Sequence, residues 1–222
     1  MGLNKVRLFL AVLVILTLAT TASAAVNNAT ISAGSESSYS SGNAAGNTAV
    51  TAGGTTQANV SATLSTTRWA GFYGSITATI VLADASSNWF RNWTVSDVSG
   101  SLVYASNESN VDFSSLAAAT QSDMPNWLIT SGASDNWQST FTNNETQTFN
   151  SQDINANYTY TYNNAGTNTF KTYSLKSGTT LVWAALAQND VTGYDGGTVD
   201  YQLLVPVNDQ TSTTYYFYLE LP

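Results

Sequence analysis

The chain has 222 residues, of which 43% are hydrophobic and only 9% charged, and its formal net charge is -8. This length suits one domain with additional segments, and an aromatic content of 12% supplies the apolar mass for a packed core. Nucleic acid and anionic membrane surfaces are not expected as partners, because both attract clustered Lys and Arg, and the chain has only six basic residues.

Cysteine and histidine are both missing from the sequence. Their absence excludes disulfide bonds, thiol nucleophiles, a Ser-His-Asp triad and zinc sites built from thiolates or imidazoles. Carboxylate chemistry such as glycoside hydrolysis needs only two convergent acids. No pair of acids stands out by its position, so we predict a non-enzymatic protein without a catalytic residue.

Residues 1–24 are typical of a secretory signal peptide. Lys5 and Arg7 precede an apolar run at residues 8–18, and Ala22-Ser23-Ala24 fits a cleavage site with small residues. The apolar run is much shorter than the roughly 20 residues that a membrane-spanning helix needs. We expect a secreted protein at the cell surface, not inserted in the membrane after cleavage; a retained N-terminal anchor is the alternative.

Residues 25–65 form a polar segment rich in Ser, Thr, Gly and Asn. This composition is typical of a flexible linker. The alternative is an extended arm or first strand that adds itself to the sheet of a neighbouring copy. The second interpretation makes the chain itself a candidate partner, alongside other cell-surface components.

Residues 66–222 alternate apolar and polar residues in short runs that are separated by turns. This pattern predicts an all-β fold, a Greek-key β-sandwich of about eight strands. One or two short helices are expected near residues 112–119 and 134–141, the second capped by Ser134. The continuous apolar run at residues 181–187 predicts a central strand that is buried on both faces.

Two strands are predicted near the start of this domain. Residues 76–82 should begin the core sheet with one buried face. Residues 88–95 should place Trp89, Arg91, Trp93 and Val95 on one face. We expect this second strand to form a hairpin with residues 101–105 across a turn at residues 97–100.

The stretch from Thr66 to Gly74 holds an arginine and three aromatic residues and is predicted to have an architectural role. Trp69, Phe72 and Tyr73 should close the base of the sandwich, with Trp69 and Phe72 largely buried. Arg68 should pair with an acid from a later turn.

A glycine-rich stretch at residues 189–200 contains Asp190, Asp195 and Asp200. Carboxylates on such a loop suit calcium, and these three residues are the candidate metal ligands. The alternative is a set of turns in which Asp caps the backbone, and the spacing does not match the EF-hand pattern. No other cofactor is expected.

Two further surface features are predicted. Tyr216 and Tyr218 should lie on the outer face of the last strand, where tyrosines can stack against sugars. Asn-x-Ser/Thr sequons make six asparagines candidates for glycosylation. They are Asn28, Asn59, Asn92, Asn107, Asn144 and Asn157.

The sequence resembles a family of secreted archaeal surface proteins. The matching residues are Thr67-Arg68-Trp69-Ala70-Gly71-Phe72-Tyr73-Gly74, Ile80-Val81-Leu82-Ala83-Asp84-Ala85, Val103-Tyr104-Ala105-Ser106, Thr192-Gly193-Tyr194-Asp195-Gly196 with Asp200-Tyr201-Gln202, and Tyr215-Tyr216-Phe217-Tyr218-Leu219-Glu220-Leu221. This resemblance implies an exported β-protein and brings no activity with it. The general layout is more loosely similar to archaeal thread and bundling-pilus subunits. That similarity implies a glycosylated β-sandwich that forms filaments by donating a strand, or else a structural coat protein. The alternative function is a secreted carbohydrate- or ligand-binding module assisted by calcium.

Overall fold

The structure, a computed structural model, describes residues 26–38, 52, 57, 61, 63–208 and 212–222. The predicted signal peptide and the sequon residue Asn59 lie outside these ranges. None of the helices within them is long and apolar enough to cross a membrane.

The described residues form fourteen strands, one α-helix and three 3-10 helices. The strands are β1 (Asn27–Asn28), β2 (Trp69–Gly74), β3 (Ala78–Ala83), β4 (Trp89–Val95), β5 (Leu102–Ser106), β6 (Leu116–Ala118), β7 (Asn143–Phe149), β8 (Gln152–Tyr162), β9 (Asn168–Ser177), β10 (Thr180–Leu186), β11 (Val191–Thr192), β12 (Thr198–Val199), β13 (Tyr201–Pro206) and β14 (Tyr216–Glu220). The helices are α1 (Trp137–Thr140) and the 3-10 helices Phe113–Ser115, Gln121–Asp123 and Asn126–Leu128.

The largest sheet is antiparallel and has the strand order β1-β14-β5-β10-β9-β8-β7, with β6 also paired to β9. β8, β9 and β10 form a meander. β5, which precedes the meander in the chain, pairs with β10 on its free side. The long connection from β5 to this meander gives a Greek-key order. The predicted central strand is confirmed as β10, which pairs with a neighbour on each side and is buried along most of its length.

The central strands carry apolar side chains on both faces of this sheet. Alternate residues point to opposite faces of a strand. Val103, Trp183 and Phe217 therefore belong to a first core on one face. Tyr104 and Val182 belong to a second core on the other face. A sheet that is apolar on both sides must be covered on both sides.

A small sheet of β2 and β13 covers the first core, which confirms the predicted all-β sandwich. Trp69 is buried there and meets Trp183 edge-to-face, with 5.9 Å between ring centroids. Phe72 is half-buried and packs against Phe217 at 5.0 Å. Tyr73 lies on the exposed face of β2, so the prediction that it closes the base of the sandwich is wrong. Its position follows from the strand alternation that sends Phe72 inward.

The β7–β8 hairpin and the segment around Phe113 cover the second core. Phe149, at the end of β7, is fully buried against Tyr173. The backbone N–H of Asn150, in the turn that follows, donates to the carboxylate of Glu220 on β14 at 3.0 Å. The hairpin tip thereby reaches the opposite edge of the large sheet.

The prediction that residues 88–95 pair with residues 101–105 is wrong. β4 pairs with β3, whereas β5 pairs with β10 and β14. β5 is buried at all of its positions, so its place is at the centre of the large sheet. β3 does not begin the core sheet either, because five of its six residues are exposed and it forms a separate hairpin with β4.

The helical predictions are correct in part. Only Phe113–Ser115 is helical in the first region, capped by Asp112, and residues 116–118 instead extend as β6 along β9. In the second region the cap of α1 is Asn136, two residues after Ser134. The Oδ1 of Asn136 accepts a hydrogen bond from the backbone N–H of Ser139 at 2.8 Å.

Candidate functional site

The outer edge of β14 is covered by the two-residue strand β1, which comes from the polar N-terminal segment. Asn27 lies opposite Leu219, and Asn28 lies opposite Tyr218. The N–H of Ala29 donates to the carbonyl of Phe217 at 3.0 Å and extends the pairing by one residue. The N-terminal segment therefore contributes a first strand to the fold.

The residues that flank β1 contact both cores. Val26 packs against the second core, and Ala29 packs against the first. Ile31 follows as an exposed apolar residue on the same segment. This alternation is what an edge strand needs in order to complete two layers at once.

Two shallow grooves lie beside β1 at this edge. One has a volume of about 390 Å³ and is lined by residues that include Val26, Val111, Phe113 and Tyr218. The other has a volume of about 400 Å³ and is lined by residues that include Ala29, Ile31, Tyr215 and Phe217. β1 therefore fills this edge incompletely and leaves room for longer side chains on both sides of the strand.

The tyrosines in these grooves are fixed by hydrogen bonds to carbonyl oxygens. Tyr215 donates to the carbonyl of Pro206, and Tyr218 donates to the carbonyl of Glu108 at 3.2 Å. Burial raises the pKa of both hydroxyl groups. The grooves thus combine these neutral, immobilised tyrosines with polar residues, which include Ser109, Asn110 and Asp112.

A second surface is formed by the β3–β4 hairpin, which projects from the sandwich. Its large side chains are exposed on both faces, including Trp89 at 64% and Phe90 at 86% of their full accessible area. We call this set the hairpin surface. It consists of Ile80, Val81, Leu82, Trp89, Phe90 and Trp93.

The register of the hairpin contains a bulge near its tip. Ile80 lies opposite Trp93 and Leu82 opposite Arg91, so these four residues share a face. Arg91 lies over the ring of Trp93, 5.7 Å from its centroid. The bulge places Trp89 opposite Ala83, on the other face, so the prediction that Trp89 shares a face with Trp93 is wrong.

The tip of the hairpin is polar. Asp84 accepts hydrogen bonds from the backbone N–H groups of Ser86 and Asn88 at 2.9 and 2.8 Å, and from the side chain of Asn88 at 2.8 Å. The bonds from Asn88, followed by the bond from Ser86, lower the pKa of Asp84. The tip therefore carries a negative charge at neutral pH.

Arg68 pairs with an acid of a later turn, as the sequence predicts. Its Nη1 lies 2.7 Å from Asp135 Oδ1, and its Nε donates to the carbonyl of Trp127 at 3.1 Å. Asp135 also accepts from Thr66, and this hydrogen bond, together with the charge of Arg68, lowers the pKa of Asp135. Trp69 Nε1 donates to the Asp135 carbonyl at 2.7 Å. The pairing anchors the start of β2 and presents no free cation to a ligand.

The predicted calcium site of Asp190, Asp195 and Asp200 is not formed. Asp200 is buried, and its two carboxylate oxygens accept from the backbone N–H groups of Ile76 at 2.6 Å and Asp190 at 2.9 Å. Asp195 accepts from Gly197 within its own turn. No group of three or more His, Cys, Asp or Glu side chains suited to a metal occurs among the residues that the structure describes. The prediction is wrong because the carboxylates of Asp195 and Asp200 accept from backbone amides, and the carboxylate of Asp190 accepts from the side chain of Asn189 at 3.2 Å.

The predicted tyrosine platform on the last strand is also not formed. Tyr216 is exposed, but Tyr218 is buried in the second core. A different exposed pair consists of Tyr73 and Tyr194, whose rings meet edge-to-face at 4.9 Å. Sequence reasoning missed this pair because the two residues are far apart in the chain and meet only through the packing of the loop after β11.

The ionisable cluster on the second core holds its carboxylate in the ionised form. Lys171 Nζ lies 2.7 Å from Glu145 Oε1, and the hydroxyl of Tyr173 donates to the same oxygen. Burial opposes the ionisation of Glu145, but the hydrogen bonds from Lys171 and Tyr173 prevail and lower its pKa. A carboxylate held ionised in this way stabilises the strands and does not donate a proton at neutral pH.

The sequons differ in accessibility. Asn92, Asn107 and Asn144 are exposed. Asn157 is half-buried opposite Asn144 and accepts a hydrogen bond from its side chain at 3.3 Å. The side chain of Asn28 and the whole of Asn59 lie outside the described residues. Asn92 lies opposite Val81, on the hairpin face away from Trp93.

Of the two surface features described above, the β3–β4 hairpin and the edge strand β1, only the hairpin has a recognisable signal in the sequence. The polar run 84–88 between two apolar runs is a turn signal that could have identified the β3–β4 hairpin. β1 has no such signal, because a two-residue strand shows no alternation.

Comparison with protein-family models, with curated proteins and with solved structures finds no match to this chain.

Proposed function

We propose that this chain is an exported, non-enzymatic structural protein of the cell surface. Its copies would assemble into a filament or coat by exchanging the N-terminal strand β1. The observation that carries the proposal is the pairing of β1 with β14, in which Val26 and Ala29 contact the two cores from an edge strand of only two residues.

The exchange is geometrically simple. About 40 residues separate Asn28 from Trp69, and a chain of that length spans more than ~100 Å when extended. A strand at the start of such a segment reaches the β14 edge of a neighbouring copy as readily as its own. Cleavage at Ala24 would leave β1 at a free N-terminus, so no loop would need to be threaded. The contacts within one copy and between copies would be the same.

The test removes one hydrogen bond from the edge strand. Ala29→Pro deletes the N–H that donates to Phe217 and clashes with continued pairing. Ala33→Pro, the same replacement in the exposed part of the same segment, is the matched control. We expect the protein lacking its signal peptide, and the Ala33→Pro variant, to form fibres or oligomers larger than a dimer that Ala29→Pro does not form. Light scattering and electron microscopy measure the difference. A wild-type protein that stays monomeric at high concentration would refute assembly by strand exchange.

A carbohydrate-binding module is the alternative, and the exposed pair Tyr73 and Tyr194 favours it. Aromatic rings at the surface provide faces for sugar stacking. Binding to a glycan array that is lost in Tyr194→Ala, by a protein that does not assemble, would favour this alternative.

A further inference from the structure

The β3–β4 hairpin lacks the support that a two-stranded sheet needs. An isolated hairpin is marginally stable in water, and three or more strands or a packed layer are required for independent stability. Among the described residues, neither β3 nor β4 pairs with any other strand. Only Ala78 is buried, and Val95 is half-buried, at the base where the hairpin joins the sandwich.

The hairpin surface is large for a protein that is exposed only to water. With ~150–250 Å² for a large aromatic side chain, the exposed fractions of its six members amount to on the order of 600 Å². The largest apolar patch on an ordinary monomer is about 300–600 Å². A stable interface buries about 800 Å² on each partner. Summed over both faces, the hairpin surface thus lies at the upper end of the range for a monomer and is about three quarters of the area that a stable interface buries on one partner.

The two edges of the hairpin differ in a way that selects the binding edge. β4 carries the charged Arg91 and the bulge at Phe90, both of which hinder the pairing of an edge strand with another chain. β3, with the sequence ATIVLA, has no charge, proline or bulged residue of its own. Its edge is therefore open to a further strand.

We propose that β3 of one copy pairs antiparallel with β3 of a second copy, so that two hairpins form one four-stranded sheet across a twofold axis. The axis passes near Val81, which places Ile80 of each copy opposite Leu82 of the other. Antiparallel pairing also brings Trp89 and Phe90, which follow the polar tip, near the base of the second hairpin. This arrangement covers the open edge and brings Ile80 and Leu82 of the two copies into contact. It uses a surface remote in the chain from β1 and does not depend on strand exchange at β14.

A lipid surface is disfavoured as the occupant. The tip that would have to enter the membrane first is the polar run 84–88, which includes the ionised Asp84. The chain is also acidic overall, with a formal net charge of -8. An identical hairpin, in contrast, offers the same uncharged strand edge and matching apolar side chains.

The experiment uses the natural absence of cysteine. Val81→Cys introduces one thiol close to the proposed axis, where opposite Cα atoms would lie within ~4.5–5.5 Å, inside the range of a disulfide. Thr94→Cys is the control on the same face of β4, where the two thiols would be at least three strand spacings, or more than ~14 Å, apart. We expect mild oxidation to convert Val81→Cys mainly to covalent dimer and to leave Thr94→Cys unlinked on a non-reducing gel.

Analytical sedimentation of the protein without introduced cysteines completes the test, because it measures whether the protein is a monomer or a dimer. Ile80→Lys should shift the dimer to monomer through like charges near the axis, and Thr94→Lys should leave it dimeric. Ala29→Pro should also leave this dimer intact, which separates it from assembly through β1. Equal cross-linking of the two cysteine variants, or a monomeric Ala29→Pro protein, would overturn the proposal. A monomer that binds phosphatidylcholine vesicles through the hairpin would overturn it in favour of a lipid surface.

Discussion

At the scale of single residues, one buried carboxylate connects three loops of the sandwich. Asp200 accepts backbone hydrogen bonds from Ile76, just before the hairpin, and from Asp190. Its own N–H donates to the carbonyl of Gly74 at 2.9 Å, and its carbonyl accepts from Gln188 at 2.8 Å. This residue fixes the end of β2 relative to the loop after β10.

Replacement of Asp200 should therefore destabilise the fold without any role for a metal. Asp200→Ala leaves the N–H groups of the half-buried Ile76 and the exposed Asp190 without acceptors, and a buried donor costs ~1–3 kcal/mol when it loses its acceptor, less where water reaches it. We expect the free energy of unfolding in urea to fall by about 2–4 kcal/mol. Asp195→Ala, which loses one bond in an exposed turn, should cost less than about 1 kcal/mol. Calcium or a chelator should change neither value; stabilisation of the wild type by calcium, lost in Asp200→Ala, would contradict this role.

At the scale of elements, the sequence predicts the position of a strand correctly where the residues of that strand alone determine its burial. The apolar run of β10 identifies a central strand, and its burial follows directly. Pairing was harder to predict, because β4 and β5 are separated by a turn signal that normally marks a hairpin. The burial of β5 on both faces decides the outcome, and that depends on layers contributed by distant parts of the chain. The roles of Asp200 and Tyr218 were missed for the same reason.

The β3–β4 hairpin should be dispensable for folding of the body. Ala78 and Val95 are opposite each other, so two glycines in place of residues 78–95 can join Thr77 to Ser96. Because little of the hairpin is buried, we expect the free energy of unfolding to change by less than about 1 kcal/mol. Trp183→Ala, in the first core, should cost about 3–5 kcal/mol by comparison. A loss of similar size on excision would show that the hairpin is part of the cooperative core.

At the scale of the whole molecule, stability should decrease from the centre of the large sheet toward its edges. β5 and β10 pair on both sides and lie between two cores, whereas β1 has two residues and β3 has one partner. Backbone groups at such edges open by local fluctuations that need far less free energy than global unfolding. The two proposed interfaces thus use the least protected strands of the fold, where partner strands can be exchanged without unfolding the body.

Amide hydrogen exchange at two protein concentrations tests this arrangement. In dilute solution, β5, β9 and β10 should exchange slowest, and β1 and β3 faster by on the order of 10³-fold or more, as a ~5 kcal/mol difference in opening free energy implies. At concentrations where copies associate, protection should rise in β3, which gains a neighbouring strand, and should change little in β1, whose contacts within one copy and between copies are the same. It should change little in β9, which is already paired along both edges. Exchange in β3 that does not depend on concentration would contradict the hairpin dimer.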